Sequence, residues 1–178
     1  MMKTQVKQKE KVKKQIIDFA VQGVENFLKE NLDLEFYAFA FDCNAEYAEV
    51  NLCLNTESDF QETLKDYQNG KYSKYYKSEQ EIKDLKFNTG DWEYQCFDTL
   101  YIFTDKELTE IFNELPDDDY KSWKEFVNNL LELCTESLVE FTKTETYKRI
   151  PKSKDFVAFC IDHNEDFEQA MKRLEKYK

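Results

Sequence analysis

Two short apolar runs, Phe36-Tyr-Ala-Phe-Ala-Phe41 and Val50-Asn-Leu-Cys-Leu54, are separated only by residues 42–49. Runs of this length, rich in aromatic and β-branched side chains, read as strands, and so short a link makes them a hairpin. Placing Asn44-Ala-Glu-Tyr47 in the loop pairs Tyr37 with Leu54, Phe39 with Leu52 and Phe41 with Val50, all on one side. Ala38, Ala40, Asn51 and Cys53 fall on the other side and are small enough for another element to pack closely. Cys43 and Cys53 are not opposite in this register, so no disulfide is expected between them.

The rest of the chain is mainly helical in pattern. Val12, Ile16, Ala20, Val24 and Phe27, widened by Ile17, Val21 and Leu28, predict a first helix over about Lys3–Lys29. Residues 1–14 hold six Lys and one Glu and form a Lys-rich, partly exposed start to it. Ser58-Asp-Phe-Gln61, Ser78-Glu-Gln-Glu81 and Thr104-Asp-Lys-Glu107 each have the form of a capping box, so a helix is expected at each. The first turns Phe60, Leu64 and Tyr67 inward and stops at Asn69-Gly70, before an exposed connection over Lys71–Lys77. The third presents Leu108, Ile111, Phe112 and Leu115 and ends at Pro116. A long helix is expected from Asp117–Asp119 to about Thr144, with Trp123, Val127, Leu130, Leu131, Cys134, Leu138 and Phe141 inward. A last helix spans about Asp166–Tyr177. Leu85–Asn88 and Asp155–Asp162 read as strands, and residues 91–103 fit strand or helix equally. These elements make residues 15–178 a single α+β domain, a small mainly antiparallel sheet packed with about five helices.

Composition narrows the chemistry. With 11 Tyr, 15 Phe and 2 Trp the chain has ample core material and is not intrinsically disordered. Its three glycines, Gly23, Gly70 and Gly90, stand alone and exclude a glycine-rich phosphate loop. One histidine and no CxxC exclude the common zinc spacings, and neither metal nor cofactor is expected. A net charge of −12 argues against nucleic acid or an anionic membrane as partner. The five cysteines are odd in number and scattered, which fits reduced thiols, with Cys53, Cys134 and Cys160 expected to be buried. Asp18 and Gln22 interrupt the apolar stretch that a signal peptide would need, and no apolar run approaches the ~18 residues of a membrane helix. A cytoplasmic location is therefore expected. Only two of 25 basic residues are Arg, a bias that fits an AT-rich bacterial genome.

Three places bear on function. Asp162-His163 closes the last strand, where acid–base groups are often placed. Asp91-Trp92 follows a glycine turn and offers a notch; with Asp162 and His163 it makes a candidate pocket, against the simpler reading of a core Trp with a turn-capping Asp. Asp117-Asp118-Asp119 lacks the glycine and distal glutamate of a calcium loop. The charge pattern is the third lead. Residues 105–119 hold seven acids and one Lys, and Glu132, Glu136 and Glu140 recur four apart on a face extended by Glu125 and Asn129. Like charges at that spacing weaken a helix slightly, so the stripe reads as a docking surface for a basic partner or as a solvated face.

Phe36-Tyr-Ala-Phe-Ala40, the second strand ending in Asn55-Thr-Glu57, Lys86-Phe87 followed by Asp91-Trp92, the late strand before Asp162 and the closing helix together resemble a bacterial family, domain of unknown function 4303. Lys86-Phe87 stands where an Arg-Trp pair is expected of that family. The family has no established activity, so the resemblance carries over no catalytic residue. It implies, by analogy, an immunity-like protein of the kind found beside bacterial toxin genes. The expected function is non-catalytic binding of a basic, toxin-like protein through Glu125, Glu132, Glu136 and Glu140. The alternative is a small enzyme or ligand-binding domain with a pocket around Asp91, Trp92, Asp162 and His163.

Overall fold

The computed structural model describes residues 2–31, 33–116 and 120–177, with side chains from residue 8 onward. Helix α1 (Met2–Glu30) follows its apolar stripe, with Ile16, Ala20 and Val24 fully enclosed. Strands β1 (Phe36–Asn44) and β2 (Glu49–Thr56) form the expected hairpin. Helices α2 (Glu57–Asn69) and α3 (Glu79–Lys86) follow, then β3 (Tyr94–Tyr101), α4 (Asp105–Glu114), α5 (Lys121–Phe141), α6 (Glu145–Arg149), β4 (Lys152–Asp162) and α7 (Phe167–Leu174). The sheet order is β3-β2-β1-β4. Two pairings are antiparallel, but β4 joins parallel to β1, so the sheet is mixed. The fold is α+β, with seven α-helices among the described residues.

The hairpin register differs from expectation. Phe39 pairs with Leu54, Phe41 with Leu52 and Cys43 with Val50, because β1 runs on to Asn44 and the turn is made by Ala45–Ala48. Ala48 closes it with φ 51° and an N–H bonded to the Ala45 carbonyl at 3.2 Å. A slip of two residues leaves every side chain on its intended face. Tyr37 is the exception. An irregularity between Phe36 and Ala38 turns Phe36 toward Phe39 and Phe41 and sends Tyr37 to the opposite face, beside Ala38 and Ala40.

Both faces are covered. On one, α1 and α5 pack over Phe36, Phe39, Phe41, Val50, Leu52 and Leu54, with Phe141 wedged 5.4 Å from Phe39. On the other, Phe60 of α2 and Leu85 of α3 close over Tyr37, Cys53, Trp92 and Phe159. Helix α7 serves both, with Leu174 in the first layer and Ala170 in the second. Buried Arg173 ties the pieces together. Its Nε donates to Thr135 of α5 at 2.9 Å, one terminal nitrogen to the Cys160 carbonyl of β4 at 2.7 Å, and the other to Glu165.

Other local expectations are corrected by cooperation between neighbours. Thr56, not Ser58, caps α2, accepting the Asp59 N–H, because the strand delivers the chain straight into the helix. Leu85–Asn88 is not a strand. The Ser78 capping box starts α3, which propagates through Lys86 so that Leu85 is buried. Residues 94–101 resolve as strand β3. The long helix stops at Phe141, and Thr144 caps the separate α6; the expected start at Asp117–Asp119 lies outside the described residues.

Gly23 lies where α1 meets the sheet. A Cβ there would come within 2.6 Å of Leu52 Cδ1 and 2.9 Å of Asp98 Oδ2. Alanine would gain about 1 kcal/mol of helix propensity, but Leu52 is fully enclosed and cannot swing away, and overpacking costs about 1–3 kcal/mol. Gly23→Ala should therefore lower stability in urea unfolding despite improving the helix. All five thiols are free, and only Cys96 is exposed. Without reductant, a maleimide should label Cys96 in the native protein and the remaining cysteines only after denaturation.

Candidate functional site

Helix α4 starts at the Thr104–Glu107 capping box and buries none of its residues completely. Its apolar side chains are too few to seal both flanks, so a cleft opens on each side. The outer one, about 480 Å³, is lined by Tyr47 from the hairpin turn, Phe112 from α4, and Tyr120 and Trp123 at the start of α5. Three of these stand well out in solvent, Tyr47 at 62%, Phe112 at 54% and Tyr120 at 53% exposure. Phe112 meets Trp123 edge-on at 5.5 Å, and Trp123 stacks on Phe126 at 5.1 Å, so the rings are held by one another. Exposed Glu46 and Asp105 form the acidic rim, and Glu46 accepts the Tyr120 hydroxyl at 2.8 Å. Lys124 places its ammonium 5.1 Å from the Tyr120 ring centre, a cation–π contact made within the chain.

The inner groove, about 780 Å³, runs between α1, α4 and α5 over Val12, Ile111, Leu115 and Phe126, and Glu114, Glu132 and Glu136 edge it. The acidic stripe thus lies along this groove, but the chain itself neutralises most of it. Glu132 accepts Lys176 at 2.6 Å and the Tyr177 hydroxyl at 2.5 Å. Glu136 pairs with Lys9 at 2.6 Å and Lys13 at 3.7 Å, so part of the Lys-rich start folds back onto α5. Glu140 pairs with Lys143 at 2.7 Å. Glu125 is exposed and forms no ion pair among the described residues. Burial works against ionisation of Glu132, but hydrogen bonds from Lys176 and Tyr177 outweigh it and hold the carboxyl below its ordinary range.

The four residues of the alternative pocket have separate structural partners among the described residues. Trp92 is a core residue, its Nε1 donating to the Lys86 carbonyl at 2.9 Å and its ring edge-on to Phe159. Asp91 receives the Tyr67 hydroxyl and, at 2.5 Å, the Asn88 side chain. Asp162 accepts the Ala45 N–H at 3.0 Å and so braces the hairpin turn. His163 is exposed, its backbone N–H bonded to Cys43. None of them lines the clefts beside α4 or the smaller one between α3 and α7.

Close to this end of the sheet lies a grouping that sequence spacing did not reveal. Asp42 of β1, Cys53 of β2 and Cys96 of β3 bring their oxygen and sulfur atoms within 4.8 Å of one another. The buried Thr89 donates its hydroxyl to Asp42 at 2.9 Å. The Cys96 N–H donates to Cys53 Sγ at 3.2 Å, and the closeness of the two thiols holds Cys96 below the usual thiol range and, with burial, pushes Cys53 well above it. Burial pushes the Asp42 carboxyl up. No motif links residues on three separate strands. The aromatic cleft was equally hidden, since Tyr47 reads as a hairpin-loop residue and Tyr120 as part of the long helix until the fold places them along one cleft.

Residues 16–176 match the family model described as Domain of unknown function (DUF4303), so the chain belongs to that family. No curated protein and no solved structure matches the chain.

The Glu132 pairing reverses the sign expected from a repulsive stripe. A carboxyl held below its ordinary 4.5 in the folded state stabilises the fold above that pH and loses the contribution as pH falls through the folded value. Glu132→Gln should cost stability at neutral pH, by under about 1 kcal/mol for so accessible a pair. The gap from the parent chain should close in urea unfolding carried out well below 4.5.

Proposed function

We propose that this DUF4303 chain is a non-catalytic, immunity-like binding domain that captures a basic protein through the aromatic cleft at the outer end of α4. The observation that carries this reading is the gathering of Tyr47, Phe112, Tyr120 and Trp123 in one open cleft rimmed by Glu46 and Asp105. Tyrosine and tryptophan dominate binding hot spots, and contiguous exposed apolar surface on a chain this polar marks an interaction site. Lysine or arginine side chains of a partner can lie over the ring faces while their charges meet the rim. The long-range field of a chain with net charge −12 speeds the encounter with a basic protein.

This reading moves the docking surface from the glutamate stripe to the cleft beside it. Glu132, Glu136 and Glu140 already hold lysines of their own chain, and a partner would have to displace them. Glu125, in no ion pair among the described residues, adds to the acidic field.

The test is association with the protein encoded beside this gene, followed by surface kinetics. The aromatic side chains are exposed, so Phe112→Ala and Tyr120→Ala should leave the fold within about 0.5 kcal/mol of the parent. Each should weaken binding about thirtyfold, as hot-spot truncations do. Asp105→Asn with Glu125→Gln should slow association and flatten its salt dependence while leaving dissociation nearly unchanged. A verified complex whose affinity survives both aromatic truncations would overturn the assignment.

A further inference from the structure

We propose that Asp42, Cys53 and Cys96 form a metal site, two sulfurs and one carboxylate oxygen, for a zinc-class divalent ion. The site is separate from the α4 cleft and independent of the binding role. Asp42 and Cys53 lie on one face of neighbouring strands, and Cys96 reaches the same place from the outer strand β3. Their ligand atoms lie within 4.8 Å of one another. Tetrahedral zinc, with Zn–S near ~2.3 Å and Zn–O near ~2.1 Å, needs ligand atoms roughly 3.5–3.8 Å apart. Side-chain adjustments of about an ångström therefore close the site.

Two further observations point to a cation. Asp42 is half-buried, is held by the Thr89 hydroxyl, and forms no ion pair with any side chain among the described residues. Carboxylates withdrawn from water are normally paired or coordinate metals. Cys96 sits in a strand with φ 47°, which aims its N–H at Cys53 Sγ, 3.2 Å away. A non-glycine residue there is strained, and such strain collects at functional positions. Thr89 supplies the outer hydrogen bond that orients a ligating carboxylate. The exposure of Cys96 gives an entry path and leaves a fourth position to water. Sulfur ligands select zinc-class ions over magnesium and calcium. Binding replaces the two thiol protons, which leave to solvent, with two metal–sulfur bonds, and no electron is transferred.

Cobalt(II) is the probe, added to protein kept reduced by a phosphine and checked for five free thiols. One equivalent should produce the near-ultraviolet sulfur-to-cobalt charge-transfer band and the visible bands of a tetrahedral ion, both abolished by zinc. Cys96→Ser and Asp42→Asn should each weaken binding more than tenfold, and Thr89→Val roughly tenfold, as loss of an orienting partner does. Cys96 is exposed and asparagine matches aspartate in shape, so both variants should melt near the parent without metal. Absence of the charge-transfer band in the reduced parent would overturn the proposal, as would a band of undiminished affinity in Cys96→Ser.

Discussion

The Phe36–Phe41 stretch of strand β1 has water on neither face, and the rest of the structure follows from that. Phe36, Phe39 and Phe41 point into one layer, Tyr37, Ala38 and Ala40 into the other, and all are buried. A strand apolar on both sides must be covered on both sides, which is why helices flank the sheet instead of lying on one face of a hairpin. The irregularity at Phe36–Ala38 makes this possible for two adjacent aromatic residues. It gives Phe36 to the α1–α5 layer and releases Tyr37 into the second layer, where its hydroxyl reaches the Lys86 carbonyl at 2.5 Å and receives Asn55 at 3.2 Å. Trp92 shares that same carbonyl. One backbone oxygen thus anchors the two buried polar-tipped rings of the second core.

The periphery is held differently. Where apolar contact is thin, charge and hydrogen bonding join elements distant in sequence. Arg173 ties α7 to α5 and β4, Lys9 ties the start of α1 to α5, and Lys176 with Tyr177 fastens the last turn to Glu132. The buried Arg173 is the strongest of these, because three acceptors satisfy it out of water. The exposed pairs orient more than they stabilise. Helix α4 has neither kind of anchor in quantity, which leaves clefts on both its flanks and sets the aromatic rings of the outer one in solvent.

Local chemistry was legible where it acts locally. The capping boxes at Ser78 and Thr104 form as written, and the α1 stripe is the buried stripe, since a helix satisfies its own backbone and needs only a periodic face. The hairpin was legible in its faces and not in its register. Alternation is indifferent to a slip of two, and the turn geometry at Ala45–Ala48 decides the remainder. Trp92 as a core residue was the simpler of two readings, and the structure adopts it. The glutamate stripe was visible as a pattern, but its meaning depends on lysines that arrive from both ends of the chain.

The sequence by itself determined that this chain builds an acidic α+β domain around an apolar hairpin, because hydrophobic period, caps and composition act over a few residues. Only the tertiary structure decided that β4 lies parallel to β1, that Tyr47 and Trp123 line one cleft, and that Asp42, Cys53 and Cys96 converge. Each of these joins residues whose separation along the chain carries no signal. Their meeting is set by how strands pair and how layers stack, and that depends on burying both faces of β1 at once.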